Sequence, residues 1–155
     1  MPRTLRDDLR QNKPFTSLHE EAMLNVVRTS AAMTDAFDEL LGPHGISSTQ
    51  YNVLRILRGA EPNGLCRNEL RDRMLTRMPD VTRLLDRMEE AGLVVRSRDN
   101  EDRRLVSTKI TAAGRRLVDK LDVPVGEHNR RRIGHLTAKQ LSDLVELLTL
   151  ARNSG

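Results

Sequence analysis

The segment from Leu93 to Thr111 reads LVVRSRDNEDRRLVSTKIT and predicts two short strands joined by a highly charged turn. Asp99-Asn100 is favourable turn chemistry between two runs that suit strands. Four arginines fall within residues 96–104, which is more than a hairpin needs for stability alone. An amphipathic helix ending at Gly92 comes directly before it, so the hairpin can lie along a phosphate backbone while the helix enters the major groove. The pattern predicts a winged DNA-binding element.

The helix before this hairpin is predicted at about Met78–Ala91, with Pro79 in its first turn. Its apolar residues follow the spacing i, i+3, i+4 and i+7, so they share the face turned to the core: Val81, Leu84, Leu85 and Met88. On the opposite face, Thr82 suits a base edge or phosphate, Arg83 suits guanine, and Arg87 suits the backbone. Asp86 is expected to orient an arginine, because a free carboxylate would repel phosphate. The alternative is an ordinary solvated helix face.

The residues expected to contact DNA fall into three groups. The predicted reading helix and its start contribute Arg77, Met78, Pro79, Thr82, Arg83 and Arg87. The wing contributes Arg96, Arg98, Asn100, Asp102, Arg103 and Arg104. Arg67, at the start of the preceding helix, is the remaining candidate. At the turn, Asp102 can hold an arginine that enters the narrow minor groove, whereas the simpler interpretation is a local surface salt bridge.

The remaining elements are predicted mainly from capping signals. Ser17 with Glu20 and Ser47 with Gln50 have capping-box spacing, and they open helices that run to Leu41 and about Gly59. A short helix follows at about Arg67–Met74, with Cys66 at its cap position and Glu69 as the box partner. After the hairpin, a long helix starts at Thr111 and should bend or break near Pro124. Thr137 and Gln140 cap the last helix, whose apolar stripe comprises Leu141, Leu144, Val145, Leu148 and Ala151.

The fold class is therefore mostly α with a small β-wing, a winged helix-turn-helix flanked by N- and C-terminal dimerisation helices. We divide the chain into an arm and dimerisation helix (1–42), the winged helix-turn-helix (46–111) and C-terminal dimerisation helices (112–155). The terminal helices carry apolar faces that the small middle unit cannot cover, so a homodimer is expected to bury them.

Composition sets the class of protein and the kind of partner. The net charge is +4 at pH 7 and 31% of the 155 residues are charged, which mildly favours an anionic partner. Residues 67–104 contain ten arginines and nine acidic residues, so DNA binding must depend on how the charges are arranged. Aromatic residues make up only 2%, which argues against stacking on single-stranded bases. A single cysteine, no run long enough for a membrane span and no signal-peptide core predict a cytoplasmic protein.

Four stretches together resemble the signature of the MarR-type transcriptional regulators, whose pattern is close to TRLLDRLE, GLV, DxxDRR and LTxxG. They are Thr82–Glu89, Gly92–Val94, Asp99–Arg104 and Ile110–Gly114, within a match that covers about residues 65–116. The resemblance implies a homodimer with one winged helix-turn-helix per subunit, acting at a palindromic operator as a repressor or an activator. It also implies release by a small anionic or phenolic ligand. By position it assigns Thr82 and Arg83 to the recognition helix and Arg104 to the wing tip.

The chain also contains candidates for a ligand pocket, a redox site and a metal site. In relatives the effector pocket is lined by the first two helices and the long helix after the wing. The residues of this chain that are available there for an anionic ligand are Arg28, Met33, His44, Tyr51 and Arg55. Packing or dimer contacts are the simpler interpretation of these residues. Cys66 could serve as an oxidant sensor, and the alternative is an inert thiol. His128 and His135 could form a metal site, and the alternative is a protein that binds no metal or other cofactor. No nucleophile motif, phosphate-binding glycine loop or HExxH motif occurs, so an enzyme is not expected. The competing class is a protein-interaction module that occupies the same helix face.

Overall fold

The computed structural model describes residues 3–98, 102 and 105–153. Its elements, in chain order, are α1 (Leu5–Asp8), α2 (Leu18–Leu41), a 3-10 turn (Gly42–His44), α3 (Ser48–Gly59), β1 (Leu65–Cys66), α4 (Arg67–Arg73), α5 (Val81–Glu90), β2 (Val94–Arg98), β3 (Val106–Ile110), α6 (Ala112–Ile133) and α7 (Ala138–Arg152). The chain divides into two compact units, Met1–Ser48 and Thr49–Gly155. Within the described ranges, no helix is both long and apolar enough to cross a membrane.

The first unit contains the arm, α1 and α2. Ser17 caps α2 by accepting a hydrogen bond from the Glu20 amide at 3.1 Å, as predicted. In the predicted capping box the Glu20 side chain would accept from the Ser17 amide. Instead the Glu20 carboxylate accepts from the residue before it, through the amide and hydroxyl of Thr16 at 2.7 Å each. Ala36 and Leu41 are the buried residues of α2, whereas most of its apolar side chains are exposed.

The second unit contains a three-stranded antiparallel sheet in the order β1-β3-β2. The predicted hairpin is confirmed, with Val94 opposite Ile110 and Arg98 opposite Val106. The third strand, β1, was not predicted, because two residues are too few to show an alternating pattern. Gly64, at φ 71°, precedes β1, and a side chain there would collide with the Thr108 carbonyl oxygen.

The core of this unit lies between the sheet and helices α3 to α6. Its least exposed members, each at 2% relative accessibility or less, include Val53, Leu54, Leu57, Leu70, Leu85, Met88, Val94, Val118 and Leu121. Thr111 caps α6 by accepting from the Gly114 amide at 3.0 Å, and its hydroxyl donates to the Gly92 carbonyl at 2.6 Å. Thr111 therefore connects the end of the hairpin both to Gly92, the second residue after α5, and to the first turn of α6.

Helix α6 runs without interruption past Pro124, so of the two predicted outcomes, a bend or a break, the break does not occur and the bend remains a prediction. A proline inside a helix removes the hydrogen bond to the carbonyl four residues earlier. That carbonyl belongs to Lys120, an exposed residue of α6. Nearer the start of α6, Arg58 of α3 donates to Asp119 at 2.6 Å and to both oxygens of Asp122 at 2.9 Å. These bonds raise the pKa of Arg58 and lower that of Asp122, and they hold α3 against α6.

The last helix, α7, has the predicted capping box: Thr137 accepts from the Gln140 amide at 3.2 Å, and the Gln140 side chain accepts from the Thr137 amide at 2.9 Å. None of its residues is buried, and four large apolar side chains are exposed: Leu144, Val145, Leu147 and Leu150.

Candidate nucleic-acid interface

Helix α5 has one buried face and one exposed face. Val81, Leu84, Leu85 and Met88 are between 0% and 8% exposed, which confirms the predicted core face. Thr82, Arg83 and Arg87 are exposed on the other side. Because Arg83 and Arg87 are four residues apart, they lie on adjacent turns of the same face.

Helix α5 begins three residues later than predicted. Asp80 is its N-cap, and the Asp80 carboxylate accepts from the Arg83 amide at 3.0 Å. Aspartate is a strong N-cap, and Pro79 disfavours helical geometry for Met78, so the helix cannot start at Met78. Placing Pro79 in the first turn, and Arg77 and Met78 at the start of the helix, was therefore wrong. All three belong to the loop before α5, where Arg77 and Pro79 are exposed and Met78 is half-buried.

The exposed end of α5 is bonded to α4. Arg67, the first residue of α4, donates from Nη1 to the Thr82 hydroxyl at 3.3 Å, so two of the predicted DNA-contact residues meet. The loop between the two helices is bonded to α3, since the Leu75 amide donates to the Asn52 side chain at 3.0 Å. Glu69 accepts from the Cys66 amide at 2.9 Å, which lowers the pKa of Glu69 and fixes the start of α4.

A salt-bridge clamp joins the wing to α5. The Arg96 guanidinium donates to Glu89 at 2.7 and 3.1 Å and to Asp86 at 2.6 Å. The Arg96 amide adds a bond to Glu89 at 2.9 Å. The side-chain bonds with Arg96, and then the backbone bond, lower the pKa of Glu89, and the two carboxylates raise that of Arg96. The prediction that Asp86 orients an arginine is confirmed, and Arg96, predicted as a DNA contact, is bonded to α5 by its guanidinium.

The wing is described only in part. Arg98, at the end of β2, and Asp102, in the turn, are both exposed. The Asp102 carbonyl accepts from the Leu105 amide at 2.9 Å, which closes the turn on the side of β3. Asn100, Arg103 and Arg104 lie outside the described residues, so their predicted contacts remain predictions.

Comparison with known proteins identifies the family. The model of the MarR family matches residues 46–106, which contain α3, α4, α5 and β2 and end at the first residue of β3. The regulator FarR of Neisseria gonorrhoeae is 30% identical over 114 residues, which span 74% of this chain and 77% of FarR. The chain belongs to the MarR family. It is thus a DNA-binding transcriptional regulator and not an enzyme.

Solved MarR structures agree with the fold. A MarR transcription factor from Planctomyces limnophilus is 39% identical, with a TM-score of 0.67 over 88% of this chain and 99% of that one. The transcriptional repressor CouR, bound to a 23-mer DNA duplex, is 22% identical, with a TM-score of 0.79 over 92% of this chain and all of CouR. The predicted winged helix-turn-helix class is confirmed.

The five candidate pocket residues of this MarR protein fall in both units. Arg28 and Met33 on α2 and His44 in the 3-10 turn belong to the first, where Arg28 and Met33 are exposed and His44 is half-buried. Tyr51 and Arg55 belong to the second and contact each other. Arg55 donates to the Tyr51 hydroxyl at 3.3 Å, and its guanidinium carbon lies 5.9 Å from the ring centroid.

Cys66 and the histidines complete the predicted chemistry. Cys66 is a half-buried free thiol in β1, at the N-cap of α4. Burial lowers the pKa of His128 on α6, with smaller contributions from Arg132 and Arg131. In the part of the chain that the structure describes, no group of three His, Cys, Asp or Glu side chains could hold a metal ion.

Sequence reasoning missed two parts of this interface. The cap Asp80 was visible as an aspartate directly before the first buried residue of α5, a standard helix-start signal. The partnership of Glu89 with Arg96 had no local signal, because the two residues belong to different elements and meet only when the hairpin folds back on α5.

Proposed function

We propose that this protein is a repressor that binds a palindromic operator as a homodimer and is released by a small anionic or phenolic ligand. The observation that carries the proposal is the division of α5, whose buried face fixes the helix while Thr82, Arg83 and Arg87 remain exposed at its outer face. A helix presented in this way fits the major groove, which is wide enough to admit it.

Each exposed residue then has a separate role. Arg83 reads a guanine through O6 and N7, Thr82 contacts a base edge or phosphate, and Arg87 binds the backbone. Arg67 positions the Thr82 hydroxyl through their hydrogen bond and faces the same phosphates. Arg77 and the neighbouring Met78 and Pro79 approach the backbone from the loop and not from the helix.

The wing contributes two kinds of residue. Arg98, Asn100, Asp102, Arg103 and Arg104 follow the DNA away from α5, with the arginines in the minor groove. Arg96 acts as a positioning residue. Its guanidinium is bonded to Glu89 and Asp86, so it sets the distance between the wing and α5 and does not itself bind phosphate.

Exposed apolar side chains on the terminal helices support a homodimer. A single chain exposes Leu18, Met23, Val26, Val27 and Met33 on α2, and Leu144, Val145, Leu147 and Leu150 on α7. Soluble monomers rarely leave such groups of large apolar residues in water, so a second copy is the proposed cover. A two-fold dimer places two copies of α5 one helical turn apart on DNA, about 34–36 Å.

Repression and ligand release are proposed from a structural relative and from one pair of side chains. CouR, which shares the fold, is a repressor in complex with duplex DNA. Tyr51 and Arg55 place a phenol hydroxyl beside a guanidinium, a pair that suits a carboxylate or phenolate ligand.

A titration of labelled DNA from upstream of the protein's own gene tests the proposal. Arg83→Ala should weaken binding by roughly 10- to 100-fold, the loss expected for one arginine that reads a base. Arg116→Ala is the matched control, because Arg116 is an exposed arginine on α6 outside the proposed interface. If Arg83→Ala binds as tightly as the control, Arg83 does not read a base and the proposed role of the outer face of α5 is wrong. If no specific DNA complex forms, the proposed operator is wrong, and a helix face occupied by a protein partner becomes the better interpretation of α5.

A further inference from the structure

The first unit contains an arginine-rich cleft between its arm and α2. The cleft has a volume of about 670 Å³, within the range of small-molecule sites. Four of its lining residues are arginines: Arg3, Arg6, Arg10 and Arg28. Three come from the arm and Arg28 comes from α2, so the cleft exists only when the arm is folded against the helix.

The end of α1 has an arginine at a backbone position that glycine usually occupies. The Gln11 amide donates to the Arg6 carbonyl at 3.0 Å, and the Arg10 amide donates to the Asp7 carbonyl at 3.2 Å. This is the Schellman arrangement, whose left-handed position is usually glycine. Here that position is Arg10, at φ 51°. A non-glycine residue in this conformation is strained, and such strain is concentrated at functional sites.

Three of the four arginines of the cleft have no ion-pair partner among the described residues. Among the described residues, Arg3, Arg10 and Arg28 form no ion pair, and Arg6 donates only to the Asn12 carbonyl, at 3.2 Å. Asp7 and Asp8 also line the cleft, but the Asp7 carboxylate accepts from the amide and hydroxyl of Thr4 at 2.9 and 2.7 Å. Four arginines and two aspartates therefore line the cleft, and the carboxylate of Asp7 already accepts two hydrogen bonds from Thr4.

We propose that this cleft binds a small polyanion, a ligand that carries at least two phosphate or carboxylate groups. Guanidinium groups bind such groups in a bidentate manner, and several can share one ligand. The named lining is polar and charged, which does not suit a mainly apolar aromatic ligand. The proposal goes beyond the repressor function and does not depend on it, since occupancy of the cleft is measured without DNA.

Calorimetric titration of the full chain in 150 mM salt provides the test, with inorganic pyrophosphate and citrate as separate probes. Saturable binding of either probe, with a Kd of about 1 mM or tighter, is expected, and the tighter probe identifies the preferred group. The double variant Arg10→Gln with Arg28→Gln should weaken it by at least ~10-fold. The double variant Lys13→Gln with Arg116→Gln removes the same charge outside the cleft and should change binding less than ~2-fold.

Two further variants distinguish binding in the cleft from binding elsewhere on the protein. Arg10→Gly places the favoured residue in the left-handed position, so its Tm should be unchanged or higher while probe binding falls. Arg83→Ala should leave probe binding intact, which separates this site from the DNA interface. Absence of binding by both probes, equal losses in the two double variants, or displacement of the probe by duplex DNA in the Arg83→Ala protein would overturn the proposal.

Discussion

Gly114 gives the sharpest test of how the wing is attached. It lies in the first turn of α6, and a methyl group added there would collide with the Leu93 carbonyl oxygen. The same methyl group would lie 2.9 Å from Ile110 Cγ1 and 3.2 Å from Leu54 Cδ2. The Leu93 carbonyl also accepts a hydrogen bond from the Thr111 amide at 3.1 Å. Gly114→Ala should therefore push the start of α6 away from the base of the hairpin.

The magnitude follows from two opposing effects. In an open helical position, replacing glycine with alanine stabilises the folded protein by about 0.5–1 kcal/mol, because glycine loses more backbone entropy on folding. Overpacking a tight site costs about 1–3 kcal/mol. At Gly114 the collision is with a backbone atom, which cannot rotate away, so the cost should exceed the gain. A net loss of about 1–2 kcal/mol corresponds to a decrease in Tm of roughly 2–8 °C for a chain of this size.

Gly126, farther along α6, is the matched control. Among the described residues, and apart from the neighbouring backbone of α6, a methyl group there would meet no atom within 4 Å, so Gly126→Ala should raise the free energy of unfolding. Urea and thermal unfolding at one protein concentration measure both variants against the wild type. The reasoning is refuted if Gly114→Ala is as stable as the wild type, since the close approach of α6 to the hairpin would then be incorrect.

Three further predictions concern the clamp, the dimer and the electrostatics of binding. Because the pKa of folded Glu89 is lowered from its ordinary 4.5, its stabilising bond with Arg96 is complete above about pH 4.5 and is lost as pH falls through the lowered value. The difference in urea stability between the wild type and Glu89→Gln should thus be constant from about pH 5 to 8 and shrink in stronger acid, and a difference that grows in acid would contradict the clamp. Leu147→Glu should convert the dimer to monomers in sedimentation experiments, while Ser142→Glu, which adds the same charge at an exposed polar position on α7, should not. If both variants remain dimeric, the exposed apolar side chains of α7 do not form the interface. Finally, the logarithm of DNA affinity should fall linearly and steeply with the logarithm of salt concentration, and a flat response would rule out phosphate anchoring.

The sequence was most informative where one element could be recognised from its own residues. The buried face of α5, the caps Ser17 and Thr137, and the hairpin were all predicted, because period, cap and turn signals are local. The sequence placed Thr111 as the first residue of α6, whereas it is the N-cap. The start of α5 was placed too early because the apolar pattern and Pro79 were given more weight than Asp80. An aspartate cap determines where a helix begins more strongly than an apolar pattern does.

Features that depend on contacts distant in sequence were not predictable. The two residues of β1 become a strand only by pairing with β3, so no pattern within them could reveal it. The continuity of α6 past Pro124 could not be predicted from the proline alone, because proline removes one hydrogen bond and the rest of the helix decides whether it continues. The left-handed conformation of Arg10 had no signal at all, since glycine is the residue usually found there.

The measurement that tests the central claim most directly is a hydroxyl-radical footprint of the protein on DNA from upstream of its own gene, with the stoichiometry of the complex determined by native mass spectrometry. The account predicts two protomers per site and two protected half-sites whose centres lie one helical turn apart, about 34–36 Å. A single protected segment bound by one protomer would contradict it, because paired copies of α5 could not then be reading the operator.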